Sequence, residues 1–225
     1  MNYGFLSETK LFSGIKPEEI KDALCCLSAY EKSFKKGEII YRTGQTVTDM
    51  GLVEEGSINI TVNLYWGSSI ILGNIEKGEI FAETYAAVSG KEMLCDAVAA
   101  EDCRVLFINV GKLLNVCKNT CGFHQKIIHN LLRISAMKNL NLSARMLHTA
   151  PKTIRGRLIS YFSQTAAETG GREFTIPFSR QGLADYIGVD RSALSAELSK
   201  MQKDGILTYR KNKFKLNKNA DLIVM

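Results

Sequence analysis

The spacing of hydrophobic residues changes along the chain and separates three regions. From Phe34 to Val110 short apolar stretches such as Ile39 to Tyr41, Ile58 to Val62 and Ile70 to Leu72 stand between glycines. These glycines occupy positions 37, 44, 51, 56, 67, 73, 78 and 90. Short alternating strands with frequent glycine turns are typical of an antiparallel β-roll or jelly roll, which can enclose a small ligand. Residues 5–29 are predicted to form small helices outside the roll.

Between residues 112 and 148 the apolar positions recur every three or four residues, which predicts one long helix. Its main apolar stripe consists of Ile127, Leu131, Ile134, Met137, Leu140, Ala144 and Leu147. Ile128, Leu132 and Ala136 widen that stripe. Because so wide a face needs cover on two sides, we expect one side to pack on the roll and the other on a second copy of the chain. The alternative is that the whole face belongs to the intramolecular core.

Residues 180–201 have the spacing of a DNA-reading helix-turn-helix. Ala184 is small where the two helices would touch, and Gly188 permits the turn between them. Ser179 and Asp190 each precede an apolar run and can cap the helix that follows. The predicted buried contacts are made by Leu183, Ile187, Val189, Leu194, Leu198 and Met201. Pro151 would end the preceding long helix, and residues 152–156 would form a hinge.

The outward face of the second helix is predicted to be polar and small, as suits entry into a major groove. It carries Arg191 at its start, followed by Ser192, Ser195, Ala196 and Ser199. Residues 206–216 then predict two short strands around an Arg-Lys-Asn-Lys tip, which would make a basic wing. An ordinary helical hairpin with a serine-rich face is the alternative.

The net charge of the chain is confined to its C-terminal third. Residues 150–225 contain 13 Lys and Arg against 7 Asp and Glu, a balance of +6, whereas residues 1–149 contain 16 of each kind. Because neutralising phosphates releases counterions, a basic segment attached to a neutral one favours a nucleic-acid partner.

Membrane and export signals are missing from the sequence. No apolar run approaches the roughly 18 residues needed to span a bilayer, and the first residues lack the pattern of a signal peptide. We therefore expect a cytoplasmic protein without a membrane partner. The six cysteines, at positions 25, 26, 95, 103, 117 and 121, form no Cys-x-x-Cys pair. They are interpreted as reduced, buried small side chains, with an iron-sulfur site as the alternative.

An enzyme is not expected. Metal sites in jelly rolls need histidines on inner strands, and His124, His129 and His148 all follow the predicted roll. The chain also lacks a Gly-x-Ser-x-Gly elbow and a phosphate-binding loop. We predict no metal and no cofactor, although a jelly-roll enzyme that binds metal is kept as an alternative.

The order of roll, long helix and winged helix-turn-helix resembles the Crp/Fnr superfamily of bacterial transcription regulators. The most specific stretch is Ser-Arg-Gln-Gly-Leu-Ala-Asp-Tyr-Ile-Gly-Val-Asp-Arg-Ser-Ala-Leu-Ser, at 179–195, and the roll adds Gly44, Gly56 and residues 78–83. The resemblance implies an α+β chain with a β-roll like a cyclic-nucleotide-binding domain at 1–111. A dimerisation helix at 112–149 and a winged helix-turn-helix at 150–225 would follow. It also implies a homodimer on a palindromic operator, an effector in the roll, and RNA polymerase as a partner.

The resemblance carries DNA contacts onto this chain by position. Base edges would be met by Arg191, Ser192 and Ser195, and phosphates by Ser179, Arg180, Gln181 and Lys200. Ala193, Lys211 and Lys213 complete the predicted double-stranded DNA surface. Ser192 and Ala196 replace a glutamate and an arginine of many members, so the operator is expected to differ from the best-known consensus.

The roll departs from members that bind cyclic nucleotides. Met93 and Leu94 stand where those members have an Arg-Ser pair that clamps the phosphate, and Ala82 stands where they have glycine. Without a guanidinium a buried phosphate loses its two-pronged partner, so cyclic AMP is not expected as the effector. The predicted effector site consists of Ala82, Glu83, Thr84, Met93 and Leu94. Its ligand would be an unknown, neutral or apolar metabolite.

Two alternatives stay open from the sequence. The regulator could have no effector at all. The chain could instead be a small-molecule binding module whose C-terminal domain docks a protein partner rather than DNA, although that alternative leaves the cations of the wing without a role.

Overall fold

A computed structural model describes residues 1–63, 69–115 and 122–217. The chain forms two compact units, Met1–Met137 and Lys138–Met225. The first consists mainly of β-strands and the second mainly of helices, which confirms the predicted α+β class. No helix among the described residues is both long enough and apolar enough to cross a membrane.

Small helices open the N-terminal unit. They are α1 (Tyr3–Glu8) and α2 (Pro17–Cys26). Asn2 caps α1 by accepting a hydrogen bond from the Phe5 amide, and α2 begins at Pro17, whose ring suits the first helical position. Their apolar sides join Leu52, Leu106 and Ile108 of the roll in one core, as the sequence predicts for helices on its outside.

The roll is built from two antiparallel sheets of four strands each. Its strands are β1 (Tyr30–Phe34), β2 (Ile39–Tyr41), β3 (Asp49–Glu55), β4 (Ile58–Asn63), β5 (Ser69–Ile75), β6 (Ile80–Phe81), β7 (Asp96–Ala99) and β8 (Cys103–Asn109). The strand orders are β1-β8-β3-β6 and β2-β7-β4-β5. Short helices α3 (Glu83–Ala87) and α4 (Val110–Leu114) follow β6 and β8. The predicted β-roll is confirmed.

Aromatic rings fill the interior between the two sheets. Tyr41 lies 6.0 Å from Phe81 and 5.8 Å from Phe107, measured between ring centroids, and Phe34 packs edge-on against Phe107. Gly51 makes this possible, since a Cβ there would lie 2.2 Å from a ring carbon of Phe81. These rings therefore form a closely packed core between the two sheets.

Two of the cysteine predictions were wrong. Cys95 and Cys103 are buried as expected, and burial raises the pKa of both thiols. Cys25 and Cys26 are exposed, because they lie at the end of α2, whose core-facing side is formed by Ile20, Ala23 and Leu24. Cys117 and Cys121 lie outside the described residues.

The long helix α5 spans Gly122–Thr149, so it ends where the sequence predicts but begins ten residues after the predicted start at residue 112. Its beginning is anchored to the N-terminal unit by polar contacts. Asn130 Nδ2 donates to the carbonyls of Leu11 and Ser13 at 2.9 Å, and Lys126 Nζ donates to that of Gly14 at 3.0 Å. This part of α5 is thus fixed to the turn after α1.

Ile127 and Leu131, both predicted to contact a second subunit, are covered by their own chain. Both are buried in the N-terminal core with the helices and strands of their own chain, and Ile134 is half-buried against the same core. The 3.6-residue period identified the apolar stripe, but the stripe turns from the roll toward solvent along the helix.

The C-terminal unit packs three helices on a three-stranded sheet. Its elements are α6 (Ile154–Thr169), β9 (Glu173–Thr175), α7 (Arg180–Ile187), α8 (Arg191–Lys203), β10 (Leu207–Arg210) and β11 (Lys213–Leu216). The sheet order is β10-β11-β9, so β9 adds a strand that sequence analysis did not identify. Phe174 of β9 packs on Phe162 and Phe214 in the core.

Candidate nucleic-acid interface

Local side-chain caps define where α7 and α8 begin. Ser179 Oγ accepts from the Gly182 amide at 3.1 Å, while Asp190 Oδ1 accepts from the amides of Ser192 and Ala193 at 2.8 and 3.0 Å. Hydrogen bonds, first from the Ser192 hydroxyl and then from these amides, lower the pKa of Asp190. Both predicted caps are confirmed. The turn closes at Gly188, whose φ of +68° suits glycine.

The buried side of this helix pair also follows the sequence pattern. Leu183, Ala184 and Ile187 of α7 are fully buried, as are Leu194 and Leu198 of α8. Met201 extends that buried side, while Val189 is only half-buried against the same core. Because these side chains are packed in the core, the opposite side of α8 faces solvent.

Serines line the outward side of α8. Ser195 Oγ donates to the Arg191 carbonyl at 2.9 Å, and Ser199 Oγ donates to the Ser195 carbonyl at 3.0 Å. The Ser192 hydroxyl is bonded to Asp190. A hydroxyl that donates within its helix keeps lone pairs that accept, so these groups suit the amino groups of adenine or cytosine. Ala193, also placed on this surface by prediction, is half-buried.

Two exposed cations stand at opposite ends of this helix. Within the described residues, the side chains of Arg191 and Lys200 have no hydrogen bond or ion pair, and neither has to break an internal contact to meet DNA. An unpaired guanidinium at the helix start can grip a guanine edge with two parallel hydrogen bonds, and a lysine suits a phosphate.

Arg180, which is predicted to contact a phosphate, makes contacts with its own chain in the structure. Its guanidinium lies over the Tyr209 ring, 4.9 Å from the centroid, and donates to the Lys211 carbonyl at 3.4 Å. Burial lowers the pKa of Arg180, and the residue is half-buried. The arrangement fixes the wing to α7. The neighbouring Gln181, also predicted at a phosphate, is exposed and donates to Asp185 at 2.8 Å.

The wing joins β10 to β11 and carries the remaining cations. Arg210 pairs with Lys213 across the hairpin, and Lys211 takes a positive φ of 56° at its tip. All three are exposed. Lys215 is different, because it forms an ion pair with Glu173 of β9. The tip therefore presents a cluster of cations near the start of α7.

Sequence analysis missed the contacts that hold α8 from behind. Arg155 Nε donates to Glu197 Oε1 at 2.6 Å, and another nitrogen of the same guanidinium lies 2.7 Å from Asp204 Oδ2. These hydrogen bonds raise the pKa of Arg155. The partners are distant in sequence and form no motif, so no local signal marks them.

The five residues predicted as an effector site do not surround one space. Met93 is buried among the roll aromatics, whereas Leu94 is 66% exposed and Thr84 is exposed. Glu83 is buried at the start of α3, and Ala82 precedes it with a φ of +60°. Of these residues Met93 and Glu83 lie in the interior and Thr84 and Leu94 at the surface, as expected where successive residues of a strand or turn point to opposite sides.

The remaining predicted dimer positions differ in exposure. Met137, Leu140 and Leu147 are exposed, and Ala144 is half-buried. Leu132, predicted to widen the stripe, is also exposed, as are Leu142 and Met146, which sequence analysis did not name. In the described part of the chain, no group of three or more His, Cys, Asp or Glu side chains could hold a metal ion.

Comparison with known proteins finds a matching family model for each of the two units. A family model of the cyclic nucleotide-binding domain matches residues 31–120, and one of the Crp-like helix-turn-helix domain matches residues 156–223. Electron transport regulator A of Shewanella oneidensis is 21% identical over 182 residues, which are 79% of this chain and 70% of that protein.

Solved structures show the same fold. CprK complexed with OCPA has a TM-score of 0.63 at 18% identity, with 91% of this chain and 93% of that chain covered. The c-di-GMP-responsive global regulator CLP of Xanthomonas campestris has a TM-score of 0.55 at 17% identity, with 88% and 98% covered.

Proposed function

The chain belongs to the Crp/Fnr family of transcription regulators, and we propose that it binds a palindromic promoter site as a homodimer. In each subunit α8 enters the major groove, and the wing lies against phosphates. RNA polymerase is the proposed downstream partner, the cytoplasm the proposed location, and no catalytic activity is assigned.

The outward side of α8 is the observation that carries this proposal. It combines hydroxyls that still accept hydrogen bonds with two cations that have no partner in the described residues, Arg191 and Lys200. A surface that docked a protein partner would be expected to expose large apolar or aromatic side chains, and this one exposes none among its described residues. The DNA proposal is therefore favoured over a protein-docking module.

The homodimer proposal relies on the exposed apolar side chains of α5. Leu132, Met137, Leu140 and Leu147 are each more than half exposed, which is costly for an isolated helix. Pairing with the same helix of a second subunit would remove them from water in a symmetric interface. Ile127 and Leu131 no longer belong to the proposed interface, because their own chain buries them.

The effector is proposed not to be cyclic AMP. Met93 fills the roll core where a phosphate clamp would need space and charge, and Leu94 faces solvent. A neutral or apolar metabolite is the effector proposed for the roll, the domain that matches the family model of the cyclic nucleotide-binding domain.

Selection from random duplex DNA followed by titration tests the function. We expect an enriched palindrome whose half-sites lie about one helical turn apart. Arg191→Ala should cost about 1–3 kcal/mol against the preferred base and relax preference at that position. Lys200→Ala should weaken all sequences alike and reduce the salt slope by about one for each subunit.

Arg42→Ala is the matched control, because Arg42 is an exposed cation in the N-terminal unit. It should change neither base preference nor salt slope. Failure to enrich any sequence at moderate salt, or identical effects of Arg191→Ala and Arg42→Ala, would refute the proposal.

A further inference from the structure

Arg145, near the end of α5, is bonded to the end of α7. Its Nε donates to the Tyr186 carbonyl and a terminal nitrogen donates to the Asp185 carbonyl, both at 2.9 Å. The guanidinium carbon also lies 5.8 Å from the Tyr186 ring centroid. Carbonyls in the last turn of a helix lack intrahelical donors, so the cation satisfies two of them and complements the helix dipole.

His148 makes a second link between the same helices and is 3% exposed. Its Nδ1 lies 2.9 Å from Tyr186 Oη, and its Nε2 lies 2.8 Å from Gln164 Oε1. Because the Gln164 amide donates to Glu168 at 2.7 Å, its oxygen faces the imidazole. His148 Nε2 therefore donates to Gln164, and in the neutral imidazole Nδ1 accepts from the Tyr186 hydroxyl.

The connection between α5 and α6 is also held in place. Arg157 Nε donates to the Pro151 carbonyl at 2.9 Å, and its Nη1 donates to the carbonyls of Ile187 and Gly188 at 3.0 and 3.1 Å. Gly156 lets this loop approach α6, since a Cβ there would lie 2.9 Å from Pro151 Cβ. All of these contacts lie within the C-terminal unit.

We propose that Arg145 and His148 are positioning residues for DNA binding, which hold α7, and through it α8, at a fixed angle to the last turns of α5. This inference rests on the proposed function. If two α5 helices pair, the clamp formed by Arg145, His148 and Tyr186 transmits the geometry of that pairing to the spacing of the two α8 helices. The flexible point then lies before Arg145 and not at residues 152–156, where the sequence predicts a hinge.

The clamp predicts a specific effect on operator spacing. In the full-length protein, Arg145→Ala should leave affinity for a duplex with one half-site within about twofold, because α8 itself is intact. Discrimination between the selected spacing and one altered by a few base pairs should fall at least about tenfold, since the loss of two charge-assisted hydrogen bonds loosens the angle. Arg145→Lys, which keeps the charge and can still donate, should restore part of the discrimination.

Lys152→Ala serves as the control, because Lys152 is an exposed cation in the same connection without a hydrogen bond in the described residues. It should leave discrimination unchanged. Tyr186→Phe supplies an independent variant that removes only the hydroxyl bonded to His148, and it should lower discrimination in the same direction. Undiminished discrimination in both Arg145→Ala and Tyr186→Phe would overturn the proposal.

Amide hydrogen exchange tests the clamp without DNA. In Arg145→Ala the amides of Gly188 and Val189, which bond to the Ala184 carbonyl, should exchange at least about tenfold faster, while those of α8 stay within about twofold. Equal exchange in wild type and variant would overturn the clamp. If wild type bound no duplex but the exchange difference appeared, the proposed function would fail and the clamp would stand as a structural link only.

Discussion

The two units differ in whether the polar side chains compared here already have hydrogen-bond partners. In the roll, Asp96 is 7% exposed and accepts from the Thr43 amide at 2.6 Å, from the Thr43 hydroxyl at 2.9 Å and from Asn63 Nδ2 at 2.7 Å. These hydrogen bonds lower the pKa of Asp96. In the C-terminal unit, the cations of α8 and the wing tip extend into solvent, and Arg191 and Lys200 lack partners among the described residues.

This contrast indicates which side chains gain the most free energy when they bind a new partner. A polar group that is already satisfied must break a hydrogen bond before it binds anything else, whereas an exposed cation gains directly from a phosphate or base edge. The interior of the roll offers packed rings and, in Asp96, a carboxylate whose hydrogen bonds are already made. The outward side of α8 offers unpaired donors, in Arg191 and Lys200, which supports the proposed DNA-binding surface in the second unit.

The largest effect is expected from a substitution that removes an aromatic ring from the core of the roll. Phe81→Ala should destabilise the N-terminal unit by about 3–5 kcal/mol, because Phe81 is buried against Tyr41 and over Gly51. Urea unfolding measures the loss. If aromatic rings fill the interior of the roll, the cavity left by Phe81→Ala should also bind a small aromatic probe such as benzene. The probe should then raise the stability of the variant and not that of the wild type.

Ile71→Ala, on an exposed strand position, should change stability by less than about 0.5 kcal/mol and create no probe site. A loss below about 1 kcal/mol for Phe81→Ala would mean that the roll interior is not closed by this ring, and the contrast between the units would weaken.

A smaller loss of stability is expected when Arg155, which contacts α8 from behind, is substituted. Arg155→Ala should destabilise the C-terminal unit by about 1–2 kcal/mol, because it leaves Glu197 and Asp204 without their cation in a partly buried setting. DNA affinity should fall with it, as measured by titration of the selected duplex. Arg155→Lys should recover part of both losses, and a neutral result for Arg155→Ala would show that packing alone positions α8.

The charge of Glu54 gives a pH-dependent prediction for the roll. Burial, followed by a hydrogen bond to Glu31, raises the pKa of Glu54 to about 7, while Arg104 acts in the opposite direction. Because the folded state then holds this proton more tightly than the unfolded chain, the contribution is complete below about pH 4.5 and is lost as the pH rises through about 7.

Glu54→Gln should therefore stabilise the N-terminal unit by about 1 kcal/mol at about pH 8 and leave it unchanged near pH 4.5. Unfolding in urea at the two pH values measures the difference. Glu55→Gln is the control, since Glu55 is exposed and bonded to the same Arg104. A stability gain that did not depend on pH would contradict the argument.

The smallest effect concerns backbone strain at Ala82. Its φ of +60° is unfavourable for any residue with a Cβ, so Ala82→Gly should stabilise the roll by about 0.5 kcal/mol after the greater entropy of unfolded glycine is included. Ala87→Gly, within α3, should instead destabilise it by a similar amount. Thermal unfolding of the two variants should shift in opposite directions, and a shift in the same direction would exclude relief of strain.

Short-range features were predictable from the sequence. The caps at Ser179 and Asp190, the turn at Gly188 and the buried leucines of α8 depend on residues a few positions apart, and the structure confirms them. The alternating strands of the roll followed from the same kind of local pattern. The three-residue strand β9 was missed, because its pairing with β11 depends on residues far along the chain.

The site was predictable in its chemistry more than in its contacts. The sequence indicated that α8 carries Arg191 and serines, but it could not show that Arg180 lies on Tyr209 or that Arg155 holds Glu197. It placed Ile127 and Leu131 in a dimer stripe, although their own chain covers them. It could not show that, of the neighbouring residues Met93 and Leu94, the first is buried and the second is exposed.

By itself the sequence determined the period of each element, the helix caps and the excess of positive charge in the C-terminal third, since all of these are set by neighbouring residues. Tertiary packing alone determined which apolar residues are covered, which cations are free to bind, and that the end of α5 is bonded to α7. Those properties depend on which distant segments meet, because burial and hydrogen bonding are settled by contacts between residues many positions apart.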